Sequence, residues 1–271
     1  MSRRIDLLRL DYLFSVLIPL LVPIYLNGLN PFMQFDIIIG FFFLGITGNT
    51  WNDVFDMKNP EDSDTLQRVE GYRPKELFTI GLASFFLGFT LLLRTCLQNF
   101  PINFIFLVSI IIMVILYILW LKPIPIINQL FLAISHVILP YFIIKIDAPQ
   151  ALYFDIGELT FLLAFFLFAV MAQLVHEVID EEAMRQHFSL RGCQIVIWIF
   201  SLLTLLFSII SFIFLLEFYF IPFLFVPLGT AYTFRRPKST TKGVKDVGLV
   251  IGNLFLIYFL CLIILQMNGI I

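Results

Sequence analysis

The chain has 271 residues, of which 60% are hydrophobic and only 13% charged, and its mean hydropathy is +0.98. That balance excludes an ordinary soluble domain, in which about a quarter of the residues carry charge. The net charge of −2 offers nothing to a nucleic-acid partner, and the three cysteines, Cys96, Cys193 and Cys261, are too far apart for a metal or disulfide pattern.

In chain order, the N-terminus MSRRIDLLRLDYLF is basic and then apolar, with no small-residue cleavage site after it, and reads as a retained first helix. Nine uncharged stretches follow, at roughly 12–35, 37–52, 77–93, 95–121, 123–144, 159–175, 192–216, 218–234 and 246–271. A spanning helix takes about 20 apolar residues, because the hydrocarbon core is about 30 Å thick. The four shorter stretches border on Asp36, Arg94, Glu158 and Glu217, whose side chains reach toward the headgroups. The sequence therefore predicts an all-α membrane protein with about nine transmembrane helices. No linker or composition shift divides it, so residues 1–271 read as one domain. With the N-terminus cytoplasmic, every Lys and Arg except Arg94 and Lys145 falls on the cytoplasmic side, and nine spans send the C-terminus outside. A weak internal symmetry is visible too, since an acidic connection follows the second and the sixth stretch.

The first connection reads NDVFDMKNPEDSDTLQRVEGYRP. Asp53 and Asp56 are three apart, so on a helical turn both carboxylates share a face, and Asn52 with Asn59 or Asp62 adds oxygens. Mg²⁺ takes such ligands, keeping several waters and bridging to a phosphate. The plainer reading is a solvated acidic loop. The second connection, QLVHEVIDEEAMRQHFSLRG, repeats the spacing with Glu177 and Asp180, followed by Glu181 and Glu182. Two such clusters on one side of a membrane can clamp a diphosphate through metal ions, with Lys58, Arg68, Arg73, Lys122, Arg185 and Arg191 as candidate cations.

NDVFD with a following Gly-Tyr-Arg-Pro resembles the first motif of the UbiA superfamily of intramembrane prenyltransferases, and VHEVIDEEAMR resembles a degenerate form of the second. LKPIPIIN is similar to the family's stretch that runs from a Leu-Lys pair to an Asn, with Lys122 and Asn128 in the matching places. The resemblance covers nearly the whole chain. It implies a helical bundle around a central cavity, a Mg²⁺ cofactor, a prenyl diphosphate substrate and an aromatic or lipid acceptor. It also implies a metal shell of Asn52, Asp53, Asp56, Asp62, Glu177, Asp180 and Glu181, with Asp53, Asp56, Glu177 and Asp180 central to catalysis. Asn52, Lys58, Arg68, Arg73, Tyr117, Lys122, Asn128 and Arg185 would bind substrate. The chain departs from the family pattern at Pro60 and at Met184, where acids are usual. Asp62 fits instead the longer spacing of the branch that prenylates dihydroxynaphthoate, and Asp64 is a further candidate.

Among the aromatic residues, Tyr72 and Tyr117 lie closest to the motifs, while most of the 33 Phe are expected to face lipid or pack between helices. His176 and His187 are candidate bases; His136 reads as a packed residue. Transfer to an aromatic, quinone-precursor or lipid acceptor is the leading expectation. A terpene cyclase working without an acceptor and a noncatalytic membrane scaffold are the alternatives.

Overall fold

The computed structural model describes residues 4–58, 63–148, 154–235 and 242–271. Among them there is no strand, and twelve α-helices are joined by short turns. These are α1 (Phe14–Leu26), α2 (Phe35–Asp56), α3 (Ser63–Arg68), α4 (Pro74–Gln98), α5 (Ile102–Leu116), α6 (Ile127–Ala133), α7 (Leu139–Ile146), α8 (Ile156–Ile179), α9 (Ala183–His187), α10 (Leu190–Leu215), α11 (Ile221–Thr233) and α12 (Lys242–Met267). A π-helical turn, Ile134–Ile138, fuses α6 and α7 into one rod, and another, Tyr117–Leu121, extends α5.

Seven helical segments of the described chain are long and apolar enough to cross a bilayer. They correspond to seven of the nine stretches expected from sequence. α2 has the length but ends in Asn49, Thr50, Asn52, Asp53 and Asp56, and the segment Phe218–Thr233 is short. The helices alternate in direction. α1, α4, α6–α7, α10 and α12 run away from the end that holds Asp53, and α2, α5, α8 and α11 return to it, as short connections require.

α1 is apolar on every side, and Leu20, Val22 and Ile24 are wholly buried, so it sits inside the bundle rather than on its surface. Helices α4, α5, α10 and α12 instead present Phe86, Ile105, Leu202 and Leu254 outward, where lipid replaces protein. The two most extensive pairings are α2 with α4 and α8 with α10. Each joins the helices on either side of an acidic connection, and each connection carries one short helix, α3 or α9. The symmetry read weakly from sequence thus has a structural counterpart.

The α2–α4 seam depends on small residues. A Cβ on Gly88 would lie 2.7 Å from the Gly40 carbonyl oxygen, and one on Gly81 would meet the Trp51 indole at 2.4 Å. This closeness lets Thr47 reach the Gly81 carbonyl at 3.2 Å and fixes the height at which the last turn of α2 emerges. At the opposite end of the bundle, Lys145 and Glu158 form a buried ion pair at 2.8 Å. Asn27 accepts from Lys145 at 2.5 Å and donates to Glu158 at 3.2 Å, and the Tyr141 hydroxyl also donates to Glu158.

Candidate active site

The final turn of α2 carries Asn52, Asp53 and Asp56. Asp53 is wholly buried and accepts a two-pronged bond from Arg68, Nε to Oδ2 at 3.1 Å and a terminal nitrogen to Oδ1 at 2.7 Å. The planar guanidinium matches the carboxylate fork, and burial makes each bond stronger than it would be in water. Arg68 is aimed by α3: it also donates to the Thr65 hydroxyl at 2.9 Å, and the adjacent Val69 packs with Leu7 and Leu77. Arg9 adds a third bond to Asp53 at 3.3 Å from a left-handed backbone conformation (φ 46°), with its guanidinium 4.3 Å above the Tyr12 ring. An L-residue in that conformation costs roughly 1 kcal/mol, which the buried pairing offsets.

Lys122 follows the π-helical turn that begins at Tyr117. Its ammonium bonds Asp56 and stands 3.9 Å from Glu182. The six-residue interval to Asn128 has a physical reason. The segment turns back through Pro123, Pro125 and a strained Ile126 (φ 70°), so that the Asn128 amide donates at 2.9 Å to the Lys122 carbonyl and also to Glu177. Asn128 therefore holds the lysine loop closed and ties it to α8. Tyr117 lies within electrostatic reach of Asp56, Glu177 and Glu182.

The second acidic connection is built differently. Glu177 is buried, with one oxygen taken by Asn128 and the other by the Met184 backbone N–H at 3.2 Å. Asp180 pairs with His176 at 3.1 Å, one turn back on the same helix. α8 ends in a turn closed by the Glu182 N–H on the Glu177 carbonyl, which puts Glu181 in a left-handed conformation (φ 57°) with its side chain exposed. Met184 is wholly buried in a cluster with Val170, Leu174, Val178 and Cys193.

The structure thus gathers Asn52, Asp53, Asp56, Arg68, Tyr117, Lys122, Asn128 and Glu177 at one end of the bundle. Other expected residues stand apart. Lys58 is exposed, its ammonium 5.2 Å over the Phe55 ring, and Arg73 is exposed at the start of α4, its backbone N–H capped by Glu76 at 2.8 Å. Arg185 closes its own turn on the Phe188 carbonyl at 3.2 Å. Asp62 lies outside the described residues, as do Asn59, Pro60 and the side chain of Asp64. Arg9 and Glu182 are the residues that sequence reasoning valued too little. Arg9 reads as one more positive charge at a cytoplasmic terminus, and Glu182 as one more acid in a run.

For Mg²⁺ the first turn is a fitting donor set. Asn52 donates its amide N–H to Asp56 at 2.6 Å, while its buried oxygen has no partner, so two carboxylates and an amide oxygen share the end of α2. No three His, Cys, Asp or Glu among the described residues converge closely enough to hold an ion alone. Water and phosphate oxygens would complete such a shell, as is usual for Mg²⁺. The second connection offers fewer oxygens, because Met184 contributes a buried thioether and Asp180 is paired with His176.

Residues 16–260 match the model of the UbiA prenyltransferase family. The chain belongs to that family. No curated protein and no solved structure matches it at a significant level. Membership carries an intramembrane, prenyltransferase-like function and a multi-pass membrane location, and UbiA prenyltransferases are typically Mg²⁺-dependent.

Proposed function

We propose that the protein is a Mg²⁺-dependent prenyltransferase that moves an isoprenoid chain from its diphosphate to an aromatic quinone precursor or a lipid acceptor. In this reading nine spans cross the membrane, with the reacting end cytoplasmic, as the distribution of Lys and Arg supports. The observation that carries the proposal is the joining of two sequence-distant acidic turns through Lys122 and Asn128, with Arg9 and Arg68 placed beside them. Such a convergence of carboxylates and cations stores paired charge that an incoming metal diphosphate can exchange.

Asn52, Asp53 and Asp56 would hold the ion. A bound Mg²⁺ supplies charge neutralisation to the diphosphate as the allylic C–O bond breaks. Arg68, Arg9 and Lys122 rest on Asp53 and Asp56; with a cation on those carboxylates, the same side chains would have N–H groups to offer the phosphate oxygens. Tyr117 stands at the rim of the charged groups, its ring available to the allylic end of the substrate. The apolar tail gains roughly 0.8 kcal/mol for each methylene withdrawn from water.

The test is product analysis by mass spectrometry with purified protein, Mg²⁺ and prenyl diphosphates of graded length, offered with 1,4-dihydroxy-2-naphthoate, 4-hydroxybenzoate or a glycerol phosphate, and also alone. Transfer predicts a prenylated acceptor that disappears with EDTA and falls at least about 100-fold in Asp56→Asn. A cyclic hydrocarbon formed without acceptor would replace this reading by the cyclase, and diphosphate stable under every condition would replace it by a scaffold.

A further inference from the structure

We infer that the imidazole of His136 is a contact for the acceptor: its Nε2 receives a hydrogen bond from a hydroxyl on an aromatic ring, which makes a hydroxylated aromatic compound the acceptor class this protein holds. The inference rests on the prenyltransferase reading above and narrows its acceptor.

His136 lies in the π-helical turn Ile134–Ile138, midway along the rod formed by α6 and α7. Such turns are rare and recur at functional sites. This one packs against α1, α5 and α8, and its neighbours Ser135 and Val137 are buried. The His136 ring lies deep among these helices, yet part of its surface stays accessible, so it borders a space inside the bundle rather than lipid. Tyr117, in the other π-helical turn, has the same setting.

The ring's proton is placed by its partners. Nδ1 is 2.9 Å from the Leu132 carbonyl, which can only accept, and 2.9 Å from the Ser135 hydroxyl, itself a donor to Leu132 at 3.0 Å. The hydrogen is therefore on Nδ1. No carboxylate among the described residues acts on the ring, and an imidazolium without a partner does not persist in an apolar interior. Nε2 then presents a bare lone pair, and nothing among the described residues donates to it. An interior acceptor left without a donor calls for one from outside the chain.

Depth selects that donor. From Asn128, which bonds Glu177 at the charged end, to His136 is eight positions of the rod, a rise of about 12 Å. Bond formation takes place at the allylic carbon, beside the diphosphate and so near the charged end. A flat aromatic acceptor reaching inward from that carbon brings a hydroxyl on its far edge down to Nε2. A glycerol phosphate, held at the charged end by its own phosphate, does not.

Binding without turnover tests this. Detergent-solubilised protein is loaded with Mn²⁺ and inorganic diphosphate and dialysed against two pairs of compounds that differ by one hydroxyl: 1,4-dihydroxy-2-naphthoate with 1-hydroxy-2-naphthoate, and 4-hydroxybenzoate with benzoate. The hydroxylated member of at least one pair is expected to bind at least about tenfold more tightly. His136→Leu is expected to bring the two members within about twofold of each other. His136→Gln, whose amide oxygen takes the same hydrogen bond, is expected to recover part of the preference, and both variants are expected to keep the manganese and diphosphate that the unaltered protein binds. Equal binding within both pairs, or a preference that survives His136→Leu, overturns the inference. Product analysis separates that failure from failure of the parent reading: a prenylated product from any acceptor leaves the transferase standing, and no product from any of them overturns both.

Discussion

Met184 marks the difference between a motif and a site. In the sequence it is a missing carboxylate; in the fold it is a wholly buried side chain whose backbone N–H is a partner of Glu177. Restoring the family's acid by Met184→Asp would therefore bury a carboxylate among Val170, Leu174 and Val178. The expected outcome is a loss of about 3 kcal/mol or more of stability, read as a lowered thermal midpoint in detergent, with no added manganese bound. A variant of unchanged stability that binds an extra ion would show that the cluster is free to open. Other residues were more legible. Asp53 and Asp56 announce themselves because their spacing places two acids on one helical face, and Lys122 with Asn128 because their stretch resembles one of the family's. Arg9 was not legible, since only the return of α2 to the N-terminus brings the two together across 44 positions of chain.

Helices set the heights of these side chains, and α2 depends on α4 for its own. Gly88 faces the Gly40 carbonyl, an atom of backbone that cannot rotate aside, so even a methyl group forces the helices apart. Gly88→Ala is expected to cost about 1–3 kcal/mol and to reduce diphosphate affinity as well, because the displaced helix ends in Asn52, Asp53 and Asp56. On the outer face of α12, where Gly248 has open space around it, the same change is expected to be neutral or to stabilise by about 0.5 kcal/mol. Thermal midpoints of the two variants, measured side by side, check the contrast, and equal effects would remove the seam from the account. Long apolar helices were the part of the fold most readable from sequence, since the bilayer imposes their length. The five- and six-residue helices α9 and α3 were not, because one or two turns give no periodic signal and acquire their stability from tertiary packing. The same limit hid the π-helical turns at Tyr117 and Ile134, which alter the phase of a helix without altering its hydropathy.

The molecule as a whole has two polar ends with different chemistry. At the Asp53 end, charge is paired through cations that reach in from separate elements; at the far end Lys145, Glu158, Tyr141 and Asn27 form a closed set in which each charge has its partner. Read from sequence, Lys145 is an exception to the charge bias and Glu158 the border of a span, and nothing joins them. In three dimensions the pair ties α7 to α8, with Asn27 binding the end of α1 to both. Removing one partner leaves the other charge buried, so Lys145→Ala is expected to destabilise by about 3–5 kcal/mol. Lys145→Met combined with Glu158→Gln should lose less than the sum of the two single changes, by a coupling of roughly 1–3 kcal/mol. Because Glu158 and Glu177 stand near opposite ends of α8, about 28 Å apart at the rise of an α-helix, the manganese count per folded molecule should stay the same in both variants. Additive stabilities would mean that the network holds nothing together, and a changed count would mean that the far end sets the geometry of the diphosphate site through α1 and α8.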